Sequence, residues 1–177
     1  MARPPTFESD EAYSGAWSRR CVAHYRAMVS YRYHRKRQRF FDLLDKWTKA
    51  LSVIAGASLL SDQIKQHVPA VALLISGLGL LSLVFGYGDR KQSHKELADA
   101  YALSAAKIEG TAPTQLTEAL IAAWETEVAG MSAKEPPQLH ALATICEREQ
   151  SIANGHPGHI PQVPLFKRAL ADWVSFG

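Results

Sequence analysis

The chain has 177 residues, a net charge of +3 and a mean hydropathy of -0.14, so most of it has the composition of a water-soluble protein. Its two cysteines, Cys21 and Cys146, exclude a disulfide-rich scaffold and predict reduced thiols on apolar helix faces. The sequence has no glycine-rich phosphate loop, nucleophile elbow, HExxH motif or paired CxxC. We therefore expect no enzymatic activity, no cofactor and no metal site.

The first ten residues predict a loose tail, and they lack the apolar core of a cleavable signal peptide. Helical spacing begins near residue 11 and continues to about residue 41. Apolar and aromatic residues recur there at steps of three and four, which predicts one shared helix face. These residues are Trp17, Cys21, Tyr25, Met28 and Tyr31.

A dense basic block lies in the second half of this helix. It comprises Arg32, Arg35, Lys36, Arg37 and Arg39. One interpretation is a juxtamembrane topology signal that attracts anionic lipid. The other is a surface for a nucleotide or another anionic ligand, because Tyr31 and Tyr33 alternate with the arginines. His34 is expected at the surface, and no direct nucleic-acid binding is expected.

The most apolar part of the chain is residues 68–87, VPAVALLISGLGLLSLVFGY. It contains no charge, and it has the length that an α-helix needs to cross a bilayer core of about 30 Å. Apolar residues fall on every side of such a helix. A transmembrane span is the favoured interpretation, and a fully buried helix of a soluble bundle is the alternative.

A second apolar stretch, residues 47–60, precedes it. Extended to residue 64, it is long enough for a further span, with Trp47 at the interface and Lys49 reaching towards the headgroups. Basic residues lie before this stretch and after residue 87, whereas the linker between the spans carries only Lys65. The positive-inside rule then predicts a hairpin in the bacterial inner membrane with both termini cytoplasmic. Tyr87 and Arg90 complete the predicted interface.

Small residues recur within the two predicted spans. We name Ser52, Gly56, Ala72, Ser76, Gly77 and Ser82 as candidate packing or pore-lining positions. Spacings of four between small residues let helices approach closely in lipid. The packing could be within the hairpin or between copies of the chain around a pore.

The remainder of the chain predicts cytosolic helices. A capping box at Ser93-x-x-Glu96 should begin one of them, and Asn154-Gly155 should end another. A last short helix is expected over residues 165–176, presenting Leu165 and Trp173. The predicted fold is all-α, with an N-terminal tail and basic helix (1–46), a transmembrane hairpin (47–88; spans about 47–64 and 68–87) and a cytosolic helical region (89–177).

Two constellations could carry chemistry. His156 and His159 are three residues apart, but no acidic or thiol partner has ligand spacing, so a surface loop is favoured. Cys146 with neighbouring glutamates could form an activated thiol, although helical spacing favours a core position.

With this layout, the chain resembles the SLATT family of bacterial two-transmembrane effector domains linked to nucleotide-signalled conflict systems. The resemblance rests on a Tyr/Arg-rich helix, HYRAMVSYRYHRKRQRFF, that leads into the first span, on the short loop between spans, and on the segments RKQSHKELADAYALSAAKIEG and LATICEREQSIANG. It implies a non-enzymatic effector that is held inactive until a nearby-encoded sensor or nucleotide signal triggers it.

We therefore expect a homo-oligomeric membrane effector that forms a pore or disrupts the inner membrane in anti-phage abortive infection. A membrane-anchored scaffold or regulator without pore activity is the alternative. A phage holin is disfavoured, because a long polar region follows residue 87.

Overall fold

The computed structural model describes residues 7–58 and 67–173, and within these ranges the chain is helical without strands, which confirms the all-α prediction. The described α-helices are α1 (Asp10–Ser58), α2 (Val68–Phe85), α3 (Tyr87–Gly110), α4 (Glu118–Ser132), α5 (His140–Ala153) and α6 (Leu165–Ala169). A short 3-10 helix, Pro113–Gln115, precedes α4.

The chain forms two compact units. Unit 1 contains residues 7–35 and 96–173, and unit 2 contains residues 36–58 and 67–95. Unit 2 therefore holds the described part of the predicted hairpin region together with the charged residues on both sides of it.

Helix α1 begins where the Ser9 hydroxyl accepts a hydrogen bond from the Ala12 amide at 3.1 Å, as an N-cap does. It continues between the predicted basic helix and the first apolar stretch, because no glycine or proline interrupts residues 41–47. Lys46 pairs with Asp42 and Lys49 with Asp45, each at 2.7 Å and at i, i+4 spacing that supports a helix.

In unit 1, the buried face of α1 agrees with the predicted one only in part. Trp17, Met28 and Tyr31 pack against the core, whereas Cys21 is exposed and Tyr25 is half-buried. The prediction followed the large residues and missed the small ones, because the alanines at 16, 23 and 27 are buried. They let other segments of unit 1 pack directly on α1. The prediction for Cys146 on α5 is confirmed, because this thiol is fully buried.

Three clusters form the core of unit 1. The first joins the N-terminal part of α1 to the end of α3 and to α4; its buried members are Phe7, Ala16, Ala23, Ile108, Leu116, Ile121 and Trp124. The second joins α1 to α5 and to the turn after α6, through Tyr33, Ala141, Leu142, Cys146 and Ala171. The third joins α1, α3 and α4 through Ala27, Tyr101, Ala105 and Val128.

The junction between α2 and α3 corrects a predicted boundary. Gly86 adopts a left-handed conformation, with φ of 53° and ψ of 46°, and its N–H donates to the Ser82 carbonyl. This is a common helix C-terminus, and glycine adopts it without the steric cost of a Cβ. Helix α3 then starts at Tyr87, so Ser93 lies inside α3 and the predicted capping box does not begin a helix.

The C-terminal region agrees with the prediction at one end only. Helix α5 ends at Ala153, and Gly155 has φ of 84°, as the Asn-Gly stop predicts. Helix α6 is shorter than predicted, and the side chains of Leu165 and Trp173 are 82% and 63% exposed. The predicted apolar face is therefore not buried here, and residues 174–176 lie outside the described ranges.

Candidate membrane interface

Helix α2 presents an apolar surface that the described residues of its unit leave largely uncovered. None of its 18 residues is buried, and Leu73, Leu83 and Val84 are between 76% and 80% exposed. Water would oppose this arrangement, because each exposed leucine forgoes about 1.5–3 kcal/mol of burial. Among the described residues, the helical segment that begins at Val68 is the one long and apolar enough to cross a membrane.

The predicted first span is described only as far as Ser58, where α1 ends, and residues 59–64 lie outside the described ranges. Its described part is also largely exposed: Trp47, Val53 and Ile54 are 63–70% accessible, whereas Ala55 is buried. The apolar exposure in unit 2 therefore involves both helices.

A charged and aromatic zone lies at the ends of these apolar segments. We call residues 36–46 and 87–95 the cationic collar, since they carry seven Lys and Arg residues against three Asp. Its two parts contact each other around the ring of Phe41, which is 4% exposed. The His94 ring stacks on it with centroids 5.6 Å apart, and the guanidinium carbons of Arg37 and Arg90 lie 4.6 and 5.9 Å from its centroid.

The carboxylate of Asp42 links the two parts of the collar. Asp42 accepts from the Lys46 ammonium within α1 and from the Lys91 ammonium of α3, both at 2.7 Å. Hydrogen bonding to Lys46 and then to Lys91 lowers the pKa of Asp42 to about 2, and the same contact raises the pKa of Lys91. These charges therefore persist across physiological pH.

The four predicted interface residues all belong to unit 2. Trp47 is exposed, and Lys49 is held by Asp45. Tyr87 stacks on Phe85 with parallel rings 5.8 Å apart. Arg90 reaches the ring of Phe41, so it belongs to the collar.

The predicted basic cluster divides between the two units. In unit 1, Arg32 donates from Nε to the Gln150 side chain at 2.7 Å, which serves packing against α5. Arg35 also belongs to unit 1, whereas Lys36, Arg37 and Arg39 belong to the collar of unit 2.

The predicted small-residue positions lie in α1 and α2. The Ser52 hydroxyl donates a hydrogen bond to the Thr48 carbonyl at 2.9 Å, so this hydroxyl has its partner within the helix. A Cβ placed on Gly56 or Gly77 would meet no atom within 4 Å, so neither glycine makes a close approach in the described structure. Ala72 and Ser76 are exposed, and Ser82 is half-buried. These positions remain open for packing with a second copy, which stays a prediction.

A buried polar group in unit 1 was missed by the sequence reading. His34, expected at the surface, is fully buried, and its Nε2 lies 3.1 Å from Oε1 of Glu135, whose side chain is 5% exposed. The His34 ring stacks on Tyr101 at 5.8 Å, and the Tyr101 hydroxyl lies 3.0 Å from Ser132 Oγ. A histidine inside a basic run gives no sequence signal for this, because its partner lies far along the chain.

The surroundings set two pKa values in this group. Burial, followed by the neighbouring Glu135 carboxylate, raises the pKa of Tyr101 to about 12. Burial of Glu135 opposes its ionisation, but hydrogen bonds from His34, Tyr101 and Gln138 together outweigh that effect and lower its pKa. Glu135 is therefore held as a carboxylate.

The two constellations with possible chemistry are not assembled in the described residues. His156 and His159 are exposed, and no group of three or more His, Cys, Asp or Glu residues there is placed to hold a metal ion. Cys146 is fully buried between α1 and α5. Comparisons with protein-family models, with curated proteins and with solved structures return no match.

Proposed function

We propose that the chain is an effector of the bacterial inner membrane, similar to the SLATT proteins, that oligomerises and forms a pore or disrupts the membrane in anti-phage abortive infection. The observation that carries membrane insertion is the surface of α2, which has no buried residue along 18 positions. A bilayer is the solvent in which such a surface is stable. The defence role and the triggering by a nearby-encoded sensor or nucleotide signal rest on the resemblance.

The proposed topology is a two-helix hairpin with both termini in the cytoplasm. Contacts in unit 2 support it, because Phe41 and Asp42, which precede the first span, touch His94 and Lys91, which follow the second. In a hairpin these two segments must meet on the same side of the membrane. The positive charge of both segments favours the cytoplasmic side.

The effector role is tested by the membrane potential of bacteria that express the full chain, alone and with its neighbouring operon genes. We expect depolarisation, followed by growth arrest, when the trigger is present. Gly77→Leu and Ser76→Leu should abolish it, because a bulky side chain at these open positions blocks close helix packing in lipid.

Gly130→Leu is the matched control. Gly130 lies on α4 of unit 1, and a Cβ there meets no atom within 4 Å, so this variant should depolarise as the wild type does. Membrane fractionation must show equal insertion of all variants. A steady potential under both conditions, with the chain in the membrane fraction, would overturn the pore.

A second candidate is a membrane-anchored interaction module without pore activity. A groove of about 640 Å³ in unit 1 favours it, with walls from α1 and α4 that include Val22, Val128 and Ala129 and with charges at Arg26 and Glu147. Such a groove suits an apolar segment of a partner protein. This candidate predicts that Gly77→Leu leaves biological activity intact, whereas Val22→Arg, at the exposed wall of the groove, abolishes it.

A further inference from the structure

The positive charge of this protein is concentrated in a small part of the chain. The cationic collar has seven Lys and Arg residues and three Asp, a net charge of +4, whereas the whole chain carries +3. The other residues taken together are therefore slightly acidic. The collar is thus the place where an anion is attracted.

Packing brings collar charges from two helices together. Arg37 of α1 and Arg90 of α3 both lie against the ring of Phe41, so their guanidinium carbons are no farther apart than the sum of 4.6 and 5.9 Å. The ring is itself fixed by the stacked His94. A guanidinium has five N–H donors, so a contact made by some of them leaves others that can form hydrogen bonds to phosphate oxygens.

Asp42 pairs with two lysines rather than with these arginines. Its two oxygens are engaged by Lys46 and Lys91, one ammonium each, so that this triad alone has an excess of one positive charge. The triad joins α1 to α3 and holds the two arginine-bearing segments in register. The collar is therefore assembled before any ligand arrives, which reduces the entropic cost of binding.

The position of the collar matches one ligand. Phe41 precedes Trp47 by six residues, about 9 Å along a helix. The headgroup layer on each side of a bilayer is about 5–8 Å thick, outside a hydrocarbon core of about 30 Å. With Trp47 at the edge of the core, the ring of Phe41 lies at the outer boundary of the headgroup layer, and a long arginine side chain beside it can extend to the lipid phosphates.

We propose that the cationic collar is a binding site for the phosphate of an anionic phospholipid headgroup, with Arg37 and Arg90 as its principal donors. This rests on the proposed membrane insertion, but it does not require a pore. The lipid phosphate is the committed ligand. A soluble phosphate compound shares the chemistry, and the experiment below separates the two.

Native mass spectrometry of the detergent-solubilised full chain measures this binding directly. The probes are dioleoyl phosphatidylglycerol and dioleoyl phosphatidylcholine, which share acyl chains and differ in headgroup charge. We expect phosphatidylglycerol to bind at least about tenfold more tightly, because a cation near an anionic headgroup contributes about fivefold. Equal binding of the two lipids would overturn the proposal.

Variants locate the site. R37Q/R90Q should lower phosphatidylglycerol affinity about twenty-five-fold. R37K/R90K keeps the charge but loses the paired N–H donors, so its affinity should lie between those of the wild type and R37Q/R90Q. K134Q/R168Q removes the same charge from unit 1 and should leave the affinity unchanged. Equal losses in R37Q/R90Q and K134Q/R168Q would mean that only net charge matters, and this would overturn the site.

Two further arms keep the outcomes distinct. Millimolar inorganic phosphate or glycerol phosphate should not displace bound phosphatidylglycerol; displacement at that level would assign the collar to a soluble anion instead. If circular dichroism shows that R37Q/R90Q has lost helix, the wild-type chain is measured at low and high salt instead. We then expect its preference for phosphatidylglycerol over phosphatidylcholine to disappear at high salt. The lipid-binding measurement is made in detergent, so its result does not depend on whether the chain forms a pore. If the chain stays in solution without detergent, the proposed membrane insertion is wrong.

Discussion

The two units use apolar side chains in opposite ways. In unit 1, large side chains such as Tyr101, Ile108 and Ile121 are fully buried. In unit 2, α2 buries nothing, and its leucines are among the most exposed residues of the described chain. The two units also differ in where polar groups lie. Unit 1 buries the pair His34 and Glu135, whereas the charged residues of unit 2 lie beside its apolar segments.

This difference shows that one helix can carry two kinds of surface. Helix α1 contributes residues to both units, with a narrow alanine face in unit 1 and apolar side chains on several sides in unit 2. A water-soluble unit buries one face and leaves the others polar. A unit suited to lipid needs no buried face, since the acyl chains are as apolar as leucine.

The largest expected effect is on the buried pair of unit 1. His34→Ala leaves the buried Glu135 carboxylate without its histidine partner, and an unsatisfied buried charged group costs about 3 kcal/mol or more. Urea unfolding of the full chain in detergent, followed by tryptophan fluorescence, measures the loss. His156→Ala, at an exposed position, should change stability by less than about 0.5 kcal/mol. A similar small change for His34→Ala would contradict the importance of the pair.

The comparison of units is tested most directly by one substitution made in each. Leu74 of α2 and Leu103 of α3 are 55% and 60% exposed, yet they belong to units 2 and 1. Leu74→Arg should reduce the fraction of chain that resists carbonate extraction from membranes, because an arginine near the centre of a span costs about 2.5–3.5 kcal/mol. Leu103→Arg should have no effect. Equal behaviour of the two variants would remove the distinction between the units' solvents.

A smaller effect is expected at the junction of α2 and α3. Gly86→Ala places a Cβ on a residue with φ of 53°, which should cost about 1–2 kcal/mol. Thermal unfolding in detergent, followed by circular dichroism, should show the lower midpoint. Gly130→Ala, inside α4, should instead stabilise unit 1 by up to about 1 kcal/mol, because alanine is the better helix former.

Removing a helix cap in unit 1 should lower the free energy of unfolding by about 1 kcal/mol. Thr117 accepts a hydrogen bond from the Leu120 amide at 3.2 Å, and it begins α4. Thr117→Ala removes that acceptor, whereas Thr117→Ser keeps it and should retain most of the stability. Chemical unfolding of both variants checks this, and equal losses in the two would point away from the cap.

The smallest effect concerns pH. The folded-state pKa of Glu135 is lowered, so its contribution to stability is fully present above the unfolded-state pKa and is lost as the pH falls through the folded-state value. We expect the free energy of unfolding to decline from about pH 5 downwards. Glu135→Gln should flatten part of that decline; an unchanged slope would mean that other carboxylates produce it.

Local patterns predicted much of the fold. The start of the apolar helix at Val68, the break after Gly110 and the stop at Asn154-Gly155 follow from composition and from the conformations that glycine and proline allow. The prediction failed at Ser93, where a capping-box pattern lies inside a helix because Gly86 had already supplied the boundary. It also failed for the length of α6, which ends at Ala169, and for Leu165, which is exposed.

The candidate interface was predicted in part. Trp47, Lys49, Tyr87 and Arg90 could be named from their places beside apolar runs, but their contacts could not. The ring of Phe41 gave no signal, because a phenylalanine in a helix is ordinary until a second segment brings His94 and Arg90 against it. The sequence also did not predict that the basic block divides between two units, because Arg32 and Arg37 differ only in the residues that they contact.

The sequence by itself determined the properties that depend on neighbours along the chain. These are the helical class, the uncharged run that begins at Val68, and the positive charge that lies before residue 47 and after residue 87. Only the tertiary structure decided which face of α1 is buried, that His34 meets Glu135, and that Asp42 joins Lys91. The reason is physical: periodicity and propensity act within a few turns of helix, whereas these contacts join segments far apart in the chain and exist only after packing.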